Sequence, residues 1–174
     1  MQFSIDKTIS ILERTAPTLQ VLLEGLPEEW TNNNEGDETW SPYDIIGHLI
    51  HGERTDWTER MHIILSKGND KAFKPFDRFA QFEESKGKTL SELLEEFKTL
   101  RNKNLEFLLA KNITEQDLSK TGIHPAFGEV SLSELLATWA VHDLDHIAQI
   151  ARVMGKQYKE EVGPWTAYLR ILNM

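Results

Sequence analysis

The stretch Ser131-Leu132-Ser133-Glu134-Leu135-Leu136-Ala137-Thr138-Trp139-Ala140-Val141-His142-Asp143-Leu144-Asp145-His146-Ile147-Ala148-Gln149-Ile150 decides how this chain folds. Ser131 with Glu134 fits a capping box, in which each side chain satisfies a backbone N–H that the first helical turn leaves unpaired. Apolar residues then recur at helical spacing to about residue 154, and Gly155 is a natural stop. At about 100° per residue, Leu135, Trp139, Ile150 and Val153 form an apolar stripe that His142 and His146 border. The stretch predicts a long amphipathic helix with a histidine pair at the edge of its buried face.

Working outward, two further starts are as clear. Ser41, Pro42 and Asp44 supply an N-cap, a proline at the first helical position and an acid in the first turn. Thr89 with Glu92 makes a second capping box. The segments 42–65 and 90–110 then carry helical apolar spacing, as does 5–24, where Pro17 is expected to kink or split the helix. Residues 165–172 suggest a short closing helix. Four such segments of about 20 residues, with no convincing strand alternation, predict an all-α four-helix bundle with long connecting loops, occupying residues 1–174 as one domain.

Those connections exceed the usual bundle loop of about 2 to 8 residues. The longest, residues 67–88, places Phe73, Pro75, Phe76, Phe79 and Phe82 among charges, and is expected to pack on the bundle as a flap or serve as a lid. Residues 32–37 and 121–125 read as turns and surface.

The chain has 174 residues, is 40% hydrophobic and 27% charged, and carries a formal net charge of −9. That balance argues against nucleic acid as a partner, since phosphate backbones are held by clustered Lys and Arg. No apolar run approaches the roughly 20 residues of a membrane span, and Met1 to Lys7 has no basic region leading an apolar one. The expectation is a soluble, cytoplasmic protein with no membrane partner. Cysteine is absent. Disulfides, thiolate metal sites and a cysteine nucleophile are thereby excluded, and His, Asp and Glu remain as metal ligands.

His142 and His146 lie one turn apart, where Cβ atoms are roughly 6 Å from each other and two rings can converge on one divalent ion. A third ligand is required. His48 stands at the edge of the apolar arc formed by Ile45, Ile46, Leu49, Ile50, Trp57 and Ile64, with Gly52 leaving room one turn beyond. His51 is the weaker alternative. Glu53 and Asp143 project toward buried arcs, where a carboxylate needs a partner. Each is a candidate either for a structural pair or for orienting a ligating imidazole through its other nitrogen. His62 and His124 read as ordinary polar residues.

Several familiar chemistries are disfavoured. The residue after His142 is Asp143 rather than the glutamate of a HExxH protease. No aspartate follows Asp145, as a phosphohydrolase built on a His-Asp doublet would need. His51-Gly52-Glu53 lacks the cysteines of a zinc deaminase. There is no P-loop, dinucleotide-binding glycine fingerprint or nucleophile elbow.

Residues 39–53, Thr39-Trp40-Ser41-Pro42-Tyr43-Asp44-Ile45-Ile46-Gly47-His48-Leu49-Ile50-His51-Gly52-Glu53, together with residues 139–150, resemble the DinB-like superfamily of DinB and YfiT-type metalloenzymes. The resemblance extends over nearly the whole chain, including the connector with His124-Pro125-Ala126-Phe127-Gly128. It implies a four-helix bundle that binds a divalent metal, zinc or nickel, through His48, His142 and His146. It also implies a homodimer, and an activity in which the metal activates a low-molecular-weight thiol or a water toward a small electrophilic substrate. That would make the protein a thiol S-transferase or a hydrolase. The rival reading is a non-catalytic metal-binding or stress-related interaction protein.

Overall fold

Every capping signal read from the sequence begins a helix. The protein is described by a computed structural model covering residues 2–174. In chain order its elements are α1 (Ile5–Leu23), α2 (Glu28–Thr31), α3 (Pro42–Thr55), α4 (Trp57–Leu65), α5 (Gln81–Glu84), α6 (Leu90–Ala110), α7 (Glu115–Leu118), β1 (Thr121–His124), β2 (Gly128–Ser131) and α8 (Leu132–Lys156). Two 3-10 segments follow, Gly163–Tyr168 and Arg170–Asn173. Reciprocal capping boxes open α3, α6 and α8, and a further one, Thr114 with Asp117, opens α7. The bundle is made by α1, α3, α6 and α8: α1 packs on α6 and α8, and α3 does the same.

The helices depart from the sequence expectation in three places. α1 runs unbroken through Pro17. Pro17 and Glu13 are both exposed, so the carbonyl that loses its partner lies on the water-facing side, where hydration replaces the bond. The segment expected as one helix to residue 65 divides at Asp56, whose backbone sits at φ −115° and ψ −72°. Just before the break the Thr55 hydroxyl donates to the His51 carbonyl at 2.8 Å, a back-bond that bends helices. α8 continues past Gly155 to Lys156, and the closing segment is 3-10 rather than α-helical.

Residues 121–131 form an antiparallel hairpin, not the plain turn expected, with register from Thr121↔Ser131 to His124↔Gly128. Gly128 takes the left-handed backbone, φ 73°, that closes it. The long connector is stitched to this hairpin, since Phe73 N–H donates to the Ile123 carbonyl at 2.9 Å and Ile123 N–H to the Lys71 carbonyl at 2.8 Å. Gly122 is required there, because a Cβ would stand 2.3 Å from the Phe73 ring. The Lys71 ammonium fixes the connector's start by donating to the carbonyls of Ile63, Ile64 and Ser66 at the end of α4.

Apolar side chains bury in two clusters. One gathers Leu12, Trp57, Met61, Phe73, Leu136 and Trp139; the other gathers Leu19, Leu23, Ile46, Leu49, Phe97 and Ile150. Fully burying such a side chain is worth about 1.5–3 kcal/mol, so these two clusters dominate stability. Among the described residues no helix is long and apolar enough to cross a membrane.

Candidate metal centre

The register of α8 sends adjacent residues to two different places. Asp143 is fully buried, while its neighbour His142, with His146 one turn on, faces a cavity. α3 divides Glu53 and His48, five residues apart, between the same two places. The outcome is two polar clusters side by side in the middle of the bundle.

The first is an ionic network centred on Arg101 of α6. Its Nη2 donates to Glu53 Oε1 at 2.8 Å and to Asp143 Oδ1 at 3.0 Å, and its Nη1 to Asp143 Oδ2 and to the Leu12 carbonyl at 2.9 Å. Thr15 donates to Asp143 at 2.6 Å, Trp139 Nε1 to Glu53 at 3.0 Å, and Asn104 to the Glu53 carboxylate at 2.9 Å. The two carboxylates push the buried guanidinium pKa upward against the opposing effect of burial, so Arg101 stays charged. Among the described residues neither carboxylate hydrogen-bonds a histidine. Glu53 and Asp143 therefore hold the bundle together through Arg101 and do not orient an imidazole, because the guanidinium outcompetes a neutral ring for a buried carboxylate.

The second cluster is three histidines. His48 Nε2 stands 3.3 Å from His142 Nε2, and His146 Nε2 stands 3.1 Å from the same atom. His48 and His146 are buried and His142 is half-buried. Burial first, and then mutual repulsion, hold His48 down at about 3 and His142 at about 2; burial also lowers His146. The rings are therefore neutral at physiological pH, the form that coordinates a metal. His146 Nδ1 donates to Gln149 Oε1 at 2.8 Å, which leaves its Nε2 lone pair aimed at the cluster. The Nδ1 atoms of His48 and His142 are buried without a protein partner.

These distances fit one ion. With metal–nitrogen bonds of about 2.0–2.1 Å, two ligands on a tetrahedron lie about 3.3 Å apart and two adjacent ligands on an octahedron about 3.0 Å. The two distances to His142, 3.1 and 3.3 Å, fall in that interval, and all three ligand nitrogens lie within 4.8 Å of one another. These three histidines could hold a metal ion together. His51 is drawn elsewhere, to Glu84 at 3.0 Å, and His62 is exposed on α4.

Aromatic rings hold the imidazoles in place. Trp40 lies against His48 with centroids 4.8 Å apart, Phe76 meets His48 edge-on at 5.5 Å, and Trp57 meets His142 at 5.2 Å. Trp40 is brought in by the loop before α3, which Glu35 ties to Arg152 at 2.8 Å and Lys156 at 2.9 Å on α8. The Arg152 hydrogen bond, above all, pulls the Glu35 pKa down to about 2.

Above the histidines opens a cavity of about 720 Å³, the size of a small-molecule site. The connector supplies Phe73, Phe76 and Arg78 to its wall, and the hairpin supplies His124 and Phe127. His124, an ordinary polar residue by sequence, thus lines the cavity, and Gln149 and Arg101 take roles that the sequence reading does not assign them. Arg101 was signalled by its position on the apolar face of α6, between Phe97 and Leu105; Gln149 was signalled only by standing three residues beyond His146.

The sequence matches the profile of the DinB superfamily over residues 11–150. No curated protein matches it. The structure is similar to YfiT from Bacillus subtilis, a probable metal-dependent hydrolase with an unusual four-helix bundle topology. The TM-score is 0.72 at 20% identity, over 91% of this chain and 87% of that one. It is also similar to TT2238, a four-helix bundle protein, with TM-score 0.50 and 20% identity over 83% of this chain and 95% of that one. At such identity the likeness speaks to the fold, and the profile match speaks to the family: this chain belongs to the DinB superfamily.

Proposed function

We propose that the protein is a metal-dependent enzyme in which His48, His142 and His146 hold a divalent ion, zinc or nickel, at the floor of the cavity. The observation that carries this reading is the convergence of three neutral imidazoles facing open space, with the His48 and His146 nitrogens 3.3 and 3.1 Å from that of His142 and all three within 4.8 Å of one another. When bound, such an ion lowers the pKa of a coordinated water or thiol, giving a nucleophile for hydrolysis or for thiol transfer to a small electrophile. The chain's own residues prepare the site: Gln149 fixes the His146 tautomer, Trp40, Trp57 and Phe76 pack the rings, and Gly52 leaves one flank free of a side chain.

That YfiT is described as a probable metal-dependent hydrolase supports the same direction. A purely structural ion is disfavoured because three protein ligands beside a cavity leave coordination positions open, whereas structural zinc is closed by four. A homodimer belongs to this reading too, with the exposed Val141 and Leu144 of α8 as an apolar stripe for a second copy.

Elemental analysis of wild type and His142→Ala is the test. Wild type should carry stoichiometric metal and His142→Ala almost none, with helicity retained. Full metal content in the variant overturns the ligand set. Unfolding on chelation, with no thiol or water-analogue perturbing a cobalt-substituted spectrum, overturns the catalytic role.

A further inference from the structure

Arg60 presents an oriented, half-buried guanidinium in the same cavity as the three histidines. Its Nε lies 2.5 Å from Asp56 Oδ1, and the group rests over the Phe73 ring at 5.2 Å. Only 11% of the side chain is exposed. Yet among the described residues no protein group pairs with Nη1 or Nη2.

The other arginines that meet carboxylates use these terminal nitrogens. Arg101 directs both at Glu53 and Asp143, Arg54 directs them at Glu84 and Glu96, and Arg152 directs Nη2 at Glu35. At Arg60 the acid takes the Nε side and the ring supports the guanidinium, so the terminal nitrogens of this cavity-lining residue are left for a ligand. This is the geometry that receives a planar carboxylate through two parallel hydrogen bonds.

The surrounding charge limits how much negative charge a ligand can bring, and the anchoring falls to the Arg60 guanidinium itself. Arg78 lines the same cavity and also has no carboxylate partner among the described residues. Against these two cations stand Asp56, Glu134 and Asp145. Asp56 is committed to Arg60 and Glu134 to the cap at Ser131. A dianion such as a phosphomonoester would meet too little positive charge. Trp40, Phe76, Phe127 and Leu135 give the wall a large apolar share beside the polar His124 and Thr138. Arg60 follows His48 by 12 residues, across the break at Asp56 that turns α4 away from α3, and both line this cavity.

Resting on the reading of this cavity as an active site, we infer that Arg60 anchors the carboxylate of a small monoanionic substrate whose aromatic or aliphatic body lies along the Trp40, Phe76 and Phe127 wall, with its reacting centre at the histidines. Asp56 is a positioning residue that presents the guanidinium.

Calorimetric titration with 3-phenylpropionate, its neutral amide and 2-phenylethyl phosphate tests this, using both zinc-loaded and metal-free protein. The carboxylate should bind at least about tenfold more tightly than the amide, the worth of a charge-assisted pair, in both forms. Arg60→Gln should erase that preference while leaving zinc stoichiometry and helicity unchanged. Arg60→Lys, which keeps the charge without the fork, should retain a few-fold preference, and it carries the test should Arg60→Gln fail to fold.

The proposal is overturned if the preference survives Arg60→Gln, disappears when zinc is removed, or goes to the phosphate. Zinc bound at the histidines without a carboxylate preference sinks the anchor and leaves the metal reading standing. A carboxylate preference in a protein that takes up no zinc does the reverse.

Discussion

The Arg101 network and the histidine cluster differ in one respect that separates structure from chemistry. Both are buried, both draw on α3 and α8, and they are built from neighbouring residues, Asp143 beside His142 and Gly52-Glu53 one turn past His48. In the network opposite charges meet: a guanidinium, an amide, a hydroxyl and an indole N–H serve two carboxylates, and only Arg101 Nε is left without a partner. In the cluster, ring nitrogens of three neutral imidazoles crowd one point with no other protein donor or cation supplied. A polar group buried without a partner is costly. A cluster whose carboxylates already hold a cation asks for no other, whereas an acceptor-rich one without a cation asks for one.

The largest effect should come from breaking the ion-paired side. Arg101→Met strands two buried carboxylates, and removing one partner from such a network typically costs about 3–5 kcal/mol. Urea denaturation should show that loss, while the folded fraction should still bind metal. If metal binding disappears in step with stability, the two clusters are one unit and the comparison breaks down.

Acid should weaken the other side by somewhat less. Held at about 3 and about 2 in the folded protein, His48 and His142 stay neutral there, but both protonate near 6.5 once unfolded. Below pH 6.5 the unfolded chain binds more protons, so stability falls with pH by about 2 kcal/mol per histidine between pH 7 and pH 5. Asp56 opposes this. Burial raises it to about 6, so the folded state binds the extra proton between about pH 4 and 6 and recovers about 1 kcal/mol. Metal-free protein should lose a net of about 3 kcal/mol from pH 7 to pH 5. A flat profile in denaturant melts would refute the neutral, crowded state of the rings.

The smallest change sharpens the contrast. Gln149→Ala frees His146 to rotate, and loss of such an orienting bond costs about 10- to 100-fold in metal affinity. Stability of the metal-free protein should move by no more than about 0.5 kcal/mol, as at other sites away from core networks. Competition titration against a chromophoric chelator measures the first, and thermal melts the second.

Much of this could be read before the structure. The four long helices were legible because caps and a 3.6-residue period are local signals. His142 and His146 were legible for the same reason, and His48 as a histidine at the margin of an apolar arc. The break at Asp56 and the hairpin were not. A back-bonded Thr55 leaves no periodic mark, and two four-residue strands are too short for alternation to register. Arg101 and Asn104 interrupted the apolar face of α6 in plain view, yet their meaning lay in carboxylates contributed by α3 and α8. Arg60 was hidden for a related reason: its platform, Phe73, comes from a connector with no period to read.

Placing His142 directly before Asp143 has an evolutionary consequence. An insertion or deletion within α8 that misaligned the imidazoles would also pull Asp143 away from Arg101, so selection against unfolded variants removes such length changes whether or not the activity is needed. Point substitutions at His142 or His146 escape that filter, because the network does not use them. On the proposed reading, single codon changes at these histidines would alter the ion site on an intact scaffold, whereas changes in the length of α8 would disturb site and scaffold together.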